Sequence, residues 1–168
     1  NQYVVDAAGT KATLLGEGYP EGGLPVTVAL AKASLDVDNK RHVLTDLKID
    51  LVSHGEGLPA DGVPVAVRVA SLQADLGKQT LALTGLDLDA AGAKVTGTLA
   101  GQAIRDAPQF TGQLPMAAVS LRDWLPKLGV EIPVTRDPAV LKRLEFSANV
   151  ALTRRSAELQ DLDLRLDD

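Results

Sequence analysis

The stretch Leu83-Thr84-Gly85-Leu86-Asp87-Leu88-Asp89 decides the fold class. In its second half leucine and aspartate alternate, the period of a strand with one apolar and one wet face. A one-residue slip would turn both carboxylates onto the apolar side, so the register is strongly specified. Outward from there, the same texture returns at residues 26–30, 47–51, 63–69, 81–88, 95–99, 146–152 and 159–166. Gly, Pro, Asp and Asn separate these runs at 16–20, 38–39, 55–59, 61–62, 91–92 and 106–108. Turn signals at such short spacing favour hairpins. The chain is therefore expected to be mainly β: an antiparallel curved sheet of repeated hairpins, forming a groove or an open sandwich.

The opening stretch belongs to an internal repeat. Ala70-Ser71-Leu72-Gln73-Ala74-Asp75 leads into it through a Gly-Lys turn. Ala33-Ser34-Leu35-Asp36-Val37-Asp38 leads through Asn39-Lys40 into Leu44-Thr45-Asp46-Leu47-Lys48-Ile49-Asp50. Phe146-Ser147-Ala148-Asn149-Val150-Ala151 leads through Thr153-Arg154-Arg155 into Leu159-Gln160-Asp161-Leu162-Asp163-Leu164. The shared Leu-x-x-Leu-x-Ile/Leu core marks each copy as a hairpin of similar size. A single segment over 1–168 is expected, with N-terminal strands over 1–69 and a repeat region over 70–168.

Two short helices interrupt the β pattern. Ser120-Leu121-Arg122-Asp123 resembles a capping box. Leu121, Trp124, Leu125 and Leu128 then share one helical face, with Pro126 shortening the helix and Gly129 suited to end it. A second helix is expected over 137–144, with Asp137 as N-cap and Pro138 at N1. Both are too small to cover a sheet of many strands, so they read as a cap.

The composition excludes several classes. Net charge is −5 without a basic block, which argues against nucleic acid. There is no cysteine, hence no disulfide or thiolate metal site. Apolar residues make up 45% of the chain but aromatics only 3%, which suits a smooth trough better than an interdigitated core. No apolar run reaches the roughly 18–20 residues that span a bilayer. The chain begins at Asn1 without a signal peptide, so it reads as a soluble piece of something longer, with any anchor outside it.

Chemistry is sought without success. No nucleophile elbow, phosphate loop, zinc motif or cofactor fingerprint is present. His42 and His54 lie near turns and read as surface histidines. Asp36/Asp38, Asp87/Asp89 and Asp161/Asp163 have a spacing nominally open to paired-carboxylate hydrolysis. They sit on the wet side of alternating strands, where nothing raises a pKa and the charges guard strand edges. Trp124 reads as core rather than a ligand-stacking ring. The chain is therefore expected to be no enzyme.

The C-terminal third carries a specific resemblance. Asp106-Ala107-Pro108-Gln109-Phe110-Thr111-Gly112-Gln113-Leu114 is followed by Ser120-Leu121-Arg122-Asp123-Trp124-Leu125-Pro126-Lys127-Leu128-Gly129. Then come Thr135-Arg136-Asp137-Pro138-Ala139-Val140-Leu141-Lys142-Arg143-Leu144 and a hairpin closing on Leu159–Asp168. From about Ser71 to Asp168 this order resembles the AsmA family of bacterial envelope proteins. The resemblance implies a periplasmic location, with the parent chain tethered to the inner membrane. It also implies kinship with bridge-like lipid-transfer proteins, whose β units stack into an apolar groove. Phospholipid traffic between the membranes and outer-membrane biogenesis are the implied roles, with no catalytic residues and no cofactor.

An alternating sheet must cover its apolar face with a second layer, helices, its own curl, or lipid. The first expectation is a lipid groove whose inner face includes Leu47, Ile49, Leu51, Leu86, Leu88, Val95, Leu99, Phe146, Val150, Leu162, Leu164 and Leu166. The alternative is a closed structural or assembly module that binds an envelope protein through its edge strands.

Overall fold

The computed structural model describes residues 1–14, 23–137 and 139–167. The turn expected at 16–20, and Pro138 and Asp168, lie outside the described residues. Ten strands form: β1 (Gln2–Leu14), β2 (Leu24–Asp36), β3 (Arg41–Ser53), β4 (Val63–Asp75), β5 (Thr80–Ala90), β6 (Ala93–Gln102), β7 (Gln109–Gln113), β8 (Met116–Val119), β9 (Leu144–Thr153) and β10 (Ala157–Leu166). They make one antiparallel sheet in chain order, with β7 and β8 sharing a position between β6 and β9. The sheet has nine positions, and β1 and β10 are its edges.

Each expected run lies inside a strand, and the three repeat units are the hairpins β2–β3, β4–β5 and β9–β10. The subdivision at 69/70 falls within β4 and does not interrupt the sheet.

The Leu-x-x-Leu spacing has a geometric cause. Residues three apart lie on opposite faces of a regular strand. Here both leucines share a face because one extra residue intervenes. Asp46, Gly85 and Asp161 take left-handed φ values of 51°, 64° and 51°, and Ala7 of β1 takes 50°. Glycine and aspartate tolerate this region best. In β2 and β4 the facing residues are Ala31 and Ala70, so the register is unchanged on either side of the interruption. Ala7, Ala31, Asp46, Ala70 and Gly85 thus form a transverse crease across five strands. Gly85 needs its lack of a side chain, because a Cβ there would lie 2.6 Å from Cβ of Ala70.

The crease keeps one face apolar on both of its sides. Directly paired residues of an antiparallel sheet project to the same face. Traced through the pairing, every Lys, Arg, Asp and Glu of the strands lies opposite the apolar face, apart from Asp46 and Asp161 at the interruptions. Strict alternation in β3 would instead have put Arg41 on the side of Leu47, Ile49 and Leu51.

Burial follows the same division. Val26, Ala33, Val63, Val69, Ala93, Met116, Ala148 and Val150 are buried, and all belong to the apolar face. No large side chain among the described residues is sealed from solvent. The accessible surface is 10962 Å², against about 7900 Å² for a compact monomer of this mass. The strands make substantial contacts only with their ladder neighbours. The sheet is a single layer.

Helix α1 (Leu121–Trp124) continues as a 3-10 turn over Leu125–Leu128, ended by Gly129 at φ 75°. This matches the expected helix, but the Ser120 side chain makes no capping bond. The second helix is not formed by the described residues: 139–142 are a turn and β9 starts at Leu144. Asp137 does accept the Ala139 N–H at 2.8 Å, as an N-cap would. The groups a helix needs are engaged elsewhere, however. Arg122 takes the carbonyls of Asp137 and Val140, Asp167 takes the next three N–H groups, and Leu141 sits at φ 65°.

Candidate functional site

Pairing brings the apolar residues into transverse rows. One row crosses all nine positions: Thr10, Val28, Ile49, Val67, Leu88, Val95, Met116, Phe146 and Leu164. Only its first member is polar. Beyond the crease a second complete row runs Val5, Ala33, Leu44, Leu72, Leu83, Leu99, Gly112, Val150 and Leu159. Leu47 and Leu86 flank Val69, Leu51 pairs with Val26 and Val65, and Leu166 pairs with Leu144. Leu162 stands opposite Ala148, where β10 carries its extra residue. All twelve sequence candidates therefore share one face.

That face is larger than sequence reasoning proposed. Leu30 joins it beside Leu47, and Ala33, Leu35, Leu44, Leu72, Leu81 and Leu83 extend it across the crease. Apolar residues three apart within a strand were the available signal. The face is half-buried over its middle and bare at its edges, where Tyr3 is 56% and Leu159 64% exposed.

His42 departs from expectation. It is not a surface histidine but pairs with Leu35 and Ala74 on the apolar face, half-buried, with Nδ1 enclosed and unpartnered. The turn beside it misled, because the crease inverts the facing of this part of β3. His54 is exposed, as expected.

The helical cap sits at one end of the strands. Trp124 is half-buried and its indole N–H donates to the Ala90 carbonyl at 2.9 Å, so it anchors the cap to the end of β5. Leu121, Leu125 and Leu128 are half-buried alongside. A cleft of about 990 Å³ lies at this end, bordered by Val26, Leu51, Val65, Lys11 and Lys127.

A polar latch that sequence reasoning missed holds the cap's following loop. Arg122 donates to the Val140 carbonyl at 2.7 Å, to Thr135 Oγ1 at 2.5 Å and to the Asp137 carbonyl at 3.2 Å. From the end of β10, Asp167 accepts the N–H groups of Leu141, Lys142 (2.7 Å) and Arg143 (3.0 Å). These N–H bonds, led by that of Leu141, hold its carboxyl below the ordinary range against the opposing effect of desolvation, and Arg122 adds attraction. Thr135 was quoted above only for its order along the chain, Arg122 as part of the expected capping box and Asp137 as an expected N-cap.

The aspartate pairs serve turns and local contacts. Asp36 accepts from the Asn39 side chain at 2.8 Å and backbone at 3.0 Å, and these bonds lower its pKa. Asp75 and Asp89 accept the N–H groups of Lys78 and Gly92 in the same way. Asp161 accepts from Asn149, and Asp163 pairs with Arg165. A general acid needs a raised pKa, whereas the shifts at Asp36, Asp75 and Asp167 are downward. Among the described residues no three His, Cys, Asp or Glu side chains converge to hold a metal, and no helix is long and apolar enough to cross a membrane. No family model, curated protein or solved structure matches the chain.

Proposed function

We propose that the apolar face is a carrying surface for phospholipid, and that the chain is a non-catalytic segment of a lipid conduit in the bacterial envelope. One observation supports this above others: a nearly unbroken apolar row runs from edge to edge of a single-layer sheet. Bulged strands bend, and the register shifts beside Gly85 and beside Asp161, where β5 meets β6 and β9 meets β10, favour a sheet curled into a trough. Each CH₂ taken from water is worth about 0.8 kcal/mol. An acyl chain arriving from a bilayer leaves an equally apolar medium, so net transfer lies near zero and the trough only removes the aqueous barrier. The resemblance to the AsmA family supports a periplasmic location, a parent chain tethered to the inner membrane, and a part in outer-membrane biogenesis.

The test is mass spectrometry of lipid co-purified with the chain, with Leu88→Arg and Val150→Arg as variants. The native chain is expected to retain phospholipid, and the variants to lose it while keeping the β circular-dichroism spectrum. A native chain free of lipid overturns the reading.

The exposed edges favour a second reading. Both β1 and β10 are exposed along their whole length. An envelope protein could then add a strand there, making the chain an assembly module. Crosslinking to one protein partner without bound lipid would select it.

A further inference from the structure

We infer that the turns joining β2–β3, β4–β5, β6–β7 and β9–β10 form a headgroup rim, which holds the phosphates of phospholipids whose acyl chains lie on the apolar face; this rests on the carrying-surface reading above. The two ends of the strands differ in charge. Residues 37–40, 76–79, 103–108 and 154–156 connect strands at one end. They carry five cations, Lys40, Lys78, Arg105, Arg154 and Arg155, against two carboxylates, Asp38 and Asp106. Residues 54–62 and 120–143 connect strands at the other end and carry five of each sign. All five cations of the first end are exposed, and none forms an ion pair among the described residues. At the strand ends beside them, Arg41 pairs with Asp75 at 3.0 Å and Asp36 is engaged by Asn39 of its own turn. No basic run exists in the sequence; strand pairing gathers these residues from four separate places.

The four turns are tied side by side. The Leu76 N–H donates to the Lys40 carbonyl at 2.9 Å, the Ile104 N–H to the Gln79 carbonyl at 3.2 Å, and the Arg154 guanidinium to the Arg105 carbonyl at 3.1 Å. Successive turns lie two strands apart, so cations recur about every 10 Å along the rim. The apolar face reaches this rim without a break. Its last row runs Tyr3, Leu35, His42, Ala74, Leu81, Gly101, Phe110, Leu152 and Ala157, and contains no charged carboxylate, lysine or arginine. Five residue steps separate Arg41 from Asp46 and Asp75 from Ala70, so rim and crease stand about 17 Å apart. The hydrocarbon of one leaflet is about 15 Å deep, half of a bilayer core. A phospholipid with its phosphate at the turns therefore lays its acyl chains over the apolar face as far as the crease. The occupant is an anionic amphiphile because cations and an apolar floor of that depth adjoin at this end. At the other end the cap intervenes and the charges balance.

The test sets a lipid with a phosphate against one without. The full 168-residue chain is incubated with mixed micelles holding equal amounts of phosphatidylglycerol and of diacylglycerol with the same acyl chains, and bound lipid is counted by mass spectrometry. Each cation beside an anionic headgroup is worth roughly fivefold in affinity, so the native chain is expected to favour phosphatidylglycerol by about tenfold or more. Raising the salt concentration is expected to shrink that preference. Lys40→Gln, Lys78→Gln, Arg105→Gln and Arg155→Gln together are expected to abolish most of it, with both lipids still bound and the circular-dichroism spectrum unchanged. Arg154 is kept because it ties two turns together. Arg136→Gln with Lys142→Gln, the same change at the capped end, is expected to leave the preference intact. A native chain that takes up both lipids equally overturns the headgroup rim and leaves the carrying surface standing, whereas one that takes up neither overturns both. A preference that is indifferent to salt, survives the loss of the four cations, or falls equally in the two variants also overturns the rim.

Discussion

β3 and β10 carry the same device and accommodate it differently. Asp46 and Asp161 share a φ of 51°, and each is the third residue of a Leu-x-x-Leu segment. Around Asp46 both neighbours supply an extra residue, Ala31 and Ala70, and the pairing continues in register. Beside Asp161 strand β9 supplies none, and the register shifts between Gln160 and Asp163. β5 marks the border: Gly85 is matched by Ala70 on one side and unmatched by β6 on the other. A left-handed residue is thus not in itself a bulge. Its neighbours decide whether it becomes part of a common crease or a local mismatch.

The comparison can be broken most sharply at its border. Gly85→Val adds a branched side chain against Ala70 at a positive φ. A loss of about 3 kcal/mol is expected from strain and overpacking together, measured by urea denaturation. A loss under about 1 kcal/mol would mean that the crease is not closely packed there. Next in size is the latch that secures the unmatched half. Arg122→Ala is expected to remove about 2 kcal/mol, with faster hydrogen exchange at the amides of 139–143 and little change in β2 to β4. Uniform exchange changes across the sheet would refute a local role.

Asp161→Ala keeps the left-handed position but loses the Asn149 bond at an exposed edge. About 1 kcal/mol is expected, read as fraying of β10 alone. Acid acts on both regions. The pKa values of Asp36, Asp75 and Asp167 are depressed in the fold, the first by Asn39, the second by the Lys78 N–H and the third by the Leu141 N–H. A depressed value contributes stability that is present above the unfolded pKa and is lost as pH falls through the folded one. The melting temperature is therefore expected to hold above about pH 5 and to drop below about pH 4. Asp167→Asn should shrink that drop; an acid limb identical to the native one would remove Asp167 from the account.

Much of the fold was legible because alternation in segments such as Leu86–Asp89 is a local signal. β1 was not, since Ala7-Ala8-Gly9-Thr10-Lys11-Ala12 has small side chains and little contrast between faces. The repeat was visible in Leu-x-x-Leu, yet its geometry was not. Spacing by three becomes a shared face only once the φ of Asp46 or Gly85 is known. His42 was misplaced for the same reason. The turn at 139–142 depends on Asp167 and Arg122, both distant in the chain, so capping chemistry at Asp137 pointed to a helix that tertiary bonds displaced. The twelve face residues were legible because their strands alternate cleanly. Their continuation beyond the crease through β2 to β5 was not, because the parity inverts there.

The ordering of the sheet has a consequence for how the chain is made. From β2 to β6 each strand pairs with the one synthesised just before it. Strands can dock as they emerge from the ribosome, with only short loops to close. Stability in such an array approximates a sum over adjacent interfaces rather than the property of one indivisible core. Damage at one strand should therefore stay near that strand, and lengthening the array by whole hairpins should leave the existing ones intact.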